Sequence, residues 1–317
     1  MRILLTGGTG FLGTAIIRHF MLQQNRSEYE ITIVSSGRTK PAAQISEKVK
    51  IMQLDLTRAT SVQAFDGLHF DAVLHLATTS TLGPKFSEVD RLREINLIDS
   101  TVLRIVKIVG ANHLIWASSG AVYGKISNHR QTKEFSSLTI NDLYNERSYR
   151  IGKIQSEYHA AKFSELSDVK LDILRLFTFS GIDLPLGVHF ALGNFIRDVF
   201  DKKSINISGT GLARRSYLDQ NDFAEIIRRL LQAPPKQPRV LNVGSAEELS
   251  LKSVANIVQD VCFDEFGQKP ELFIHNKFDD KDNYYVPDIE LLQETLPGLN
   301  FKKLYATVKE MITHVQR

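Results

Sequence analysis

Cysteine is nearly absent from this chain of 317 residues: Cys262 stands alone, between Val261 and Phe263. One cysteine excludes an internal disulfide and a cysteine-built metal centre, and its apolar neighbours predict a small buried filler rather than a reactive thiol. Long hydrophobic runs are missing too. No stretch approaches the roughly 18 apolar residues of a membrane span. The apolar start at Met1–Leu5 runs at once into Thr6-Gly7-Gly8, too short for a secretory signal, so the expected location is the cytoplasm. Charge of one sign is also lacking. With 39 Lys and Arg against 36 Asp and Glu, the net charge of +3 argues against nucleic acid or membrane as the main partner. His75 and His129 are not spaced as a metal pair, and no metal site is expected.

What is present is alternation. Short β-branched runs at 2–6, 30–35, 50–54, 72–75, 113–117 and 172–177 are separated by helical patterns at 10–24, 88–109 and 148–164. Strand–helix–strand alternation at this spacing predicts an α/β fold with a doubly wound parallel sheet. Beyond Phe177 the pattern loosens. Helices are expected at 193–201, 219–232 and 251–263, and strands at 204–208 and 240–243, with Pro234-Pro235 stopping the middle helix. The reading is a nucleotide-binding domain over 1–177 plus about 218–247 and a smaller, interleaved C-terminal α/β lobe over 178–217 and 248–317.

Thr6-Gly7-Gly8-Thr9-Gly10-Phe11-Leu12-Gly13 joins the first strand to the first helix. Gly7 permits a tight turn, Gly10 lets backbone N–H groups approach a pyrophosphate, and Gly13 lets the helix pack closely. The helix N-terminus then presents free donors to an anion. The second strand ends Ser35-Ser36-Gly37-Arg38, without the carboxylate that often takes the adenosine ribose hydroxyls. Serine hydroxyls and an arginine fork suit a 2′-phosphate, so NADP(H) is favoured and NAD(H) remains possible. Tyr149 and Lys153 lie four residues apart on one helical face. A lysine ammonium beside the phenol favours its ionised form, which suits Tyr149 as a general acid/base.

These motifs resemble the extended branch of the short-chain dehydrogenase/reductases, the NAD-dependent epimerase/dehydratase family, whose members modify nucleotide-linked sugars. The resemblance implies a Rossmann-like fold with Gly7, Gly10, Phe11, Leu12, Gly13, Ser35, Ser36, Arg38, Asp55, Leu56, Leu76, Ala77, Tyr149 and Lys153 around the cofactor. In Ala117-Ser118-Ser119-Gly120-Ala121-Val122-Tyr123-Gly124, Ser119 holds the place of the hydroxyl that meets the substrate oxygen. Asn96 matches the asparagine that helps hold the lysine. Thr178, Asn194 and Arg215 fall on substrate-binding positions, Arg215 on the diphosphate clamp. Dehydratase-like and decarboxylase-like members carry an acid directly after the Ser or Thr, whereas Gly120-Ala121 can move no proton. The implied activity is therefore reduction of a nucleotide-linked 4-keto sugar, with Tyr149 as acid/base. The alternative is a C4 epimerase with retained NAD. A 4,6-dehydratase or a non-catalytic cofactor-binding sensor ranks lower. Members of the family commonly form homodimers, here through the helices at 88–109 and 148–164.

Overall fold

The computed structural model describes residues 1–22, 28–38, 49–78, 87–124, 131–136, 138, 146–187, 190–201, 204–279 and 283–316. His129 lies outside them. In chain order come β1 (Arg2–Thr6), α1 (Phe11–Leu22), β2 (Glu30–Ser35), β3 (Lys50–Gln53) and β4 (Ala72–His75). Next are α2 (Glu88–Ile108), β5 (His113–Ser119), α3 (Ser148–Glu165) and β6 (Lys170–Leu176). Then follow β7 (Phe179–Ser180), α4 (Ala191–Phe200), β8 (Ile205–Ile207), β9 (Arg214–Arg215), β10 (Leu218–Asp219), α5 (Gln220–Gln232) and β11 (Arg239–Val243). The remainder holds β12 (Leu249–Ser250), α6 (Leu251–Phe266), β13 (Leu272–Ile274), β14 (Tyr284–Tyr285), α7 (Glu290–Thr295) and α8 (Leu304–Val315).

The main sheet runs β11-β6-β5-β4-β1-β2-β3. Strands β1 to β6 pair in parallel. A parallel sheet covered on both faces needs strands that are apolar throughout. Accordingly every residue of β4 and β5 is buried, while edge strand β3, with Lys50 and Gln53, is largely exposed. Neighbours β1 and β4 are not consecutive in the chain, so the order reverses between them. That crevice, beyond the carboxyl ends of the strands, is where ligands bind in such sheets.

The chain divides into two units. The first contains Met1–Gly124, Leu138–Leu176 and Phe223–Leu241. Its core packs Trp116 and Leu114 of β5 and Val102, Ile105 and Val106 of α2 with Phe65. Ser87 caps α2 by accepting from Asp90 N. The second unit contains the described residues of 125–137, Phe177–Asp222 and Asn242–Arg317. There α6 packs between α4 and α8, and β8 pairs with β13. Cys262 on α6 is 1% exposed, and burial pushes its thiol up to about 11, as expected of a filler. No described helix is long and apolar enough to cross a membrane.

Candidate functional site

The glycine loop is built around contacts that only glycine allows. Gly7 has φ +75°, and a Cβ there would lie 2.8 Å from Ala77 N, where β4 ends. A Cβ on Gly13 would lie 2.4 Å from Gly7 O, so α1 can press onto the loop only because Gly13 has none. Gly10 is different: its Cβ would meet only Gly7 O, at 3.3 Å, which leaves its other side open. Gly10 N donates back to Gly7 O at 3.1 Å, and α1 starts at Phe11 with Phe11 and Leu12 half-buried. A cradle closed behind by Gly7 and Gly13 and open at Gly10 fits a dinucleotide pyrophosphate at a helix N-terminus.

Leu76 and Ala77 abut this loop. Ala77 N donates to Thr6 Oγ1 at 3.3 Å, and Thr6 Oγ1 also meets His75 Nδ1 at 2.7 Å. His75 Nε2 reaches Asp99 Oδ1 at 3.1 Å, and its ring lies 4.3 Å from that of Trp116. Burial lowers the His75 pKa, the hydrogen bond and charge of Asp99 opposing it, so the imidazole is neutral. Burial pushes Asp99 up, but the hydrogen bond of His75 and the charge of Lys153 outweigh it and hold the carboxyl below its usual range. A neutral imidazole thus links the loop to α2.

Ser119 ends β5 and caps the 3-10 turn Gly120–Tyr123, its Oγ accepting from Ala121 N at 3.1 Å. Its own proton is left to donate. Lys153 is 3% exposed, and its Nζ donates to Ala117 O at 2.9 Å. An ammonium has three donors, so two remain. Tyr149 is half-buried, and its hydroxyl makes no hydrogen bond among the described residues. Gly152, between them, allows close helix packing: a Cβ there would lie 2.7 Å from Ile95 Cδ1 of α2. Asn96 on the same helix keeps Oδ1 buried without a partner among the described residues.

A salt-bridge network joins β5, α3 and β6. Arg175 donates from Nε and Nη2 to the two oxygens of Glu157, at 2.9 and 2.7 Å, and from Nη1 to Tyr123 OH at 2.8 Å. Ser118 Oγ donates to Glu157 Oε1 at 2.6 Å. Ser118 and Tyr123 are thus both tied to Arg175 and Glu157.

At the end of β2, Ser35 Oγ accepts from Gly37 N at 3.2 Å and Ser36 Oγ from Arg38 N at 3.4 Å. Arg38 donates from Nη1 to Glu94 Oε1 of α2 at 3.1 Å. Asp55 accepts from Thr57 N and Oγ1 at 3.0 and 2.7 Å, and the Thr57 hydroxyl is the chief reason its carboxyl lies below the usual range. Leu56 points into the core. Glu94 escaped sequence reading. The available signal was a carboxylate on the buried stripe Glu94, Ile95, Ile98, Asp99 and Val102, where helical periodicity calls for apolar residues.

In the second unit, Thr178 O accepts from Leu218 N at 3.0 Å. Asn194 on α4 holds Oδ1 buried without a partner among the described residues. Arg215 on β9 donates to Asn283 O and Oδ1, both at 3.0 Å, and lies over the Tyr285 ring at 5.8 Å. No group of three or more metal-ligating side chains occurs among the described residues.

The family model "NAD dependent epimerase/dehydratase family" matches residues 3–244. UDP-glucuronic acid decarboxylase 4 of Arabidopsis thaliana is 23% identical over 82% of this chain, which spans only 57% of that relative's length. The structure of UDP-glucose 4-epimerase with UDP-glucose from Thermotoga maritima superposes with a TM-score of 0.84 at 17% identity, covering 100% of this chain and 99% of that one. UDP-glucose 4-epimerase of Thermus thermophilus, in complex with NAD, gives a TM-score of 0.81 at 20% identity over 100% of this chain and 99% of that one. These likenesses below 25% show a shared Rossmann-like fold, and the family match over most of the chain shows descent: the chain belongs to the NAD-dependent epimerase/dehydratase family.

Proposed function

We propose that the chain moves hydride reversibly at C4 of a sugar carried on a nucleotide. The observation that carries this reading is the end of β5. Ser119, at the end of that strand, keeps a free proton, and Tyr149, whose hydroxyl has no partner among the described residues, lies on a helix anchored to the same strand by Lys153 through Ala117 O. A nicotinamide dinucleotide, its pyrophosphate held by the glycine loop, would supply the hydride acceptor and donor. Tyr149 takes the proton from the sugar hydroxyl as it becomes a carbonyl and returns it on reduction. Ser119 donates a hydrogen bond to that same oxygen, while Lys153 and Asn96 hold the lower side of the site. Gly120-Ala121, directly after Ser119, offers no acid or base for elimination or decarboxylation. Thr178, Asn194 and Arg215 bind the nucleotide-linked substrate in this reading, and the enzyme is cytoplasmic.

The 4-keto-sugar reductase reading drew on a 2′-phosphate held by Arg38. The pairing of Arg38 with Glu94 favours the other outcome, C4 epimerisation with retained NAD. The test is incubation with UDP-, dTDP-, GDP- and CDP-linked sugars and 4-keto sugars, following nicotinamide absorbance and product stereochemistry together. An epimerase inverts C4 with no net absorbance change, and a reductase consumes reduced cofactor one for one. No turnover of any of these with either cofactor sinks the proposal.

A further inference from the structure

We infer that Glu94, reaching in from α2, is the carboxylate that reads the adenosine ribose and makes the site select NAD(H) over NADP(H). The inference rests on the dinucleotide site proposed above. In dinucleotide folds the ribose hydroxyls are taken by an acid at the end of the second strand. Here that strand ends in Ser35, and the following turn is closed on itself by Ser35 and Ser36 accepting from Gly37 N and Arg38 N. Gly37 has φ +78°, and a Cβ there would lie 2.4 Å from Gln53 Nε2, so the turn has one way to run. It delivers Arg38 to Glu94.

The side chain of Glu94 is 11% exposed, whereas that of Arg38 is 55% exposed. One Glu94 oxygen takes Arg38 Nη1; the other, Oε2, is buried with no partner among the described residues. A carboxylate oxygen withdrawn from water without a donor is costly. A ribose hydroxyl is such a donor, and a phosphate is not. Two arginines here are opposed by carboxylates: Arg38 faces Glu94, and Arg58 Nε lies 3.7 Å from Asp55 Oδ2. Asp55 also feels the charge of Arg38. A 2′-phosphate, near −2 in charge, would have to break the Arg38 pair and then sit against Glu94. A plain ribose leaves the pair intact and supplies the missing donor.

The experiment isolates the adenosine end by titrating cofactor-free protein with ADP-ribose and with 2′-phospho-ADP-ribose, following tryptophan fluorescence or heat. The unmodified chain is expected to prefer ADP-ribose by about 10-fold or more, as a charged hydrogen bond allows. Glu94→Gln should erase the preference, Glu94→Asp should retain most of it, and Arg38→Ala should not weaken the 2′-phosphate ligand. Glu94→Asp serves as the folding control, because it keeps the charge. A preference for the 2′-phosphate ligand that Arg38→Ala abolishes overturns the inference and restores the arginine phosphate site. A ratio unchanged by Glu94→Gln also overturns it. If neither ligand binds, the dinucleotide site itself fails, and the inference with it.

Discussion

Two sets of buried polar groups in the first unit are paired to different degrees. Between β5, α3 and β6, Arg175, Glu157, Ser118 and Tyr123 form a closed set in which both carboxylate oxygens and all three guanidinium nitrogens have partners. On α2, Arg91 Nε, Glu94 Oε2 and Asn96 Oδ1 are buried without partners among the described residues. A buried polar atom left unpaired costs free energy. The paired set ties two strands to a helix. The unpaired set is where the proposed function puts a ligand. Hydrogen-bond completeness separates the two roles more sharply than burial, since both sets are shielded from water.

The comparison can be broken at four points. The largest effect is expected at Tyr149. Tyr149→Phe should lower turnover by roughly two to four orders of magnitude with dinucleotide affinity little changed, measured by steady-state kinetics beside a cofactor titration. Near-normal turnover would remove Tyr149 from the chemistry. In the paired set, Glu157→Ala strands a buried guanidinium and should cost about 3–5 kcal/mol in urea unfolding. A loss under about 1 kcal/mol would mean that water enters and the set is not closed.

The third point lies in the second unit, at Asp222, whose carboxyl is pushed up to about 6, chiefly by burial and further by Asp219, against the hydrogen bond from Lys302 N. A folded-state pKa above the unfolded value means the folded chain binds the proton more tightly. Its contribution is therefore full below about pH 4 and is lost as pH rises through 6. Asp222→Asn should gain about 1 kcal/mol at pH 7 after solvent screening, and nothing at pH 4, read from urea midpoints at both. An equal gain at both values would show that ionisation is not the cause. The smallest effect concerns assembly. Leu97 of α2 and Tyr158 of α3 are exposed apolar residues, 37% and 62% accessible, on the helices through which a homodimer would close. Light scattering should give twice the chain mass, and Leu97→Glu with Tyr158→Glu should return it to one. A native monomer would discard the dimer.

How much of this was readable in advance follows from the range of the interactions. The runs 2–6, 30–35 and 72–75 are strands β1, β2 and β4 to the residue, because a strand buried on both faces must be apolar along its length. β6 begins at Lys170 rather than 172, since Lys170 N donates to Asn112 O and pairing carries the strand over a polar residue. Helix α8 and the two-residue strands β7, β9, β10, β12 and β14 left no signal, because their partners are distant in the chain. In the site, the glycine spacing and the Tyr149, Lys153 and Ser119 pattern were legible because each is a local constraint on backbone or helical face.

The sequence by itself determined the doubly wound sheet, the glycine loop and the spacing of Ser119, Tyr149 and Lys153. Periodicity, missing side chains and i, i+4 spacing all act within a few residues, and no distant partner can change them. Only the tertiary structure decided what surrounds the end of β2. From the sequence, Ser35, Ser36 and Arg38 pointed to a phosphate. In the fold, Glu94 arrives from 56 residues further along and pairs with the same arginine. A charge's role depends on its nearest opposite charge, and which residue that is can be settled only by how α2 packs against the sheet.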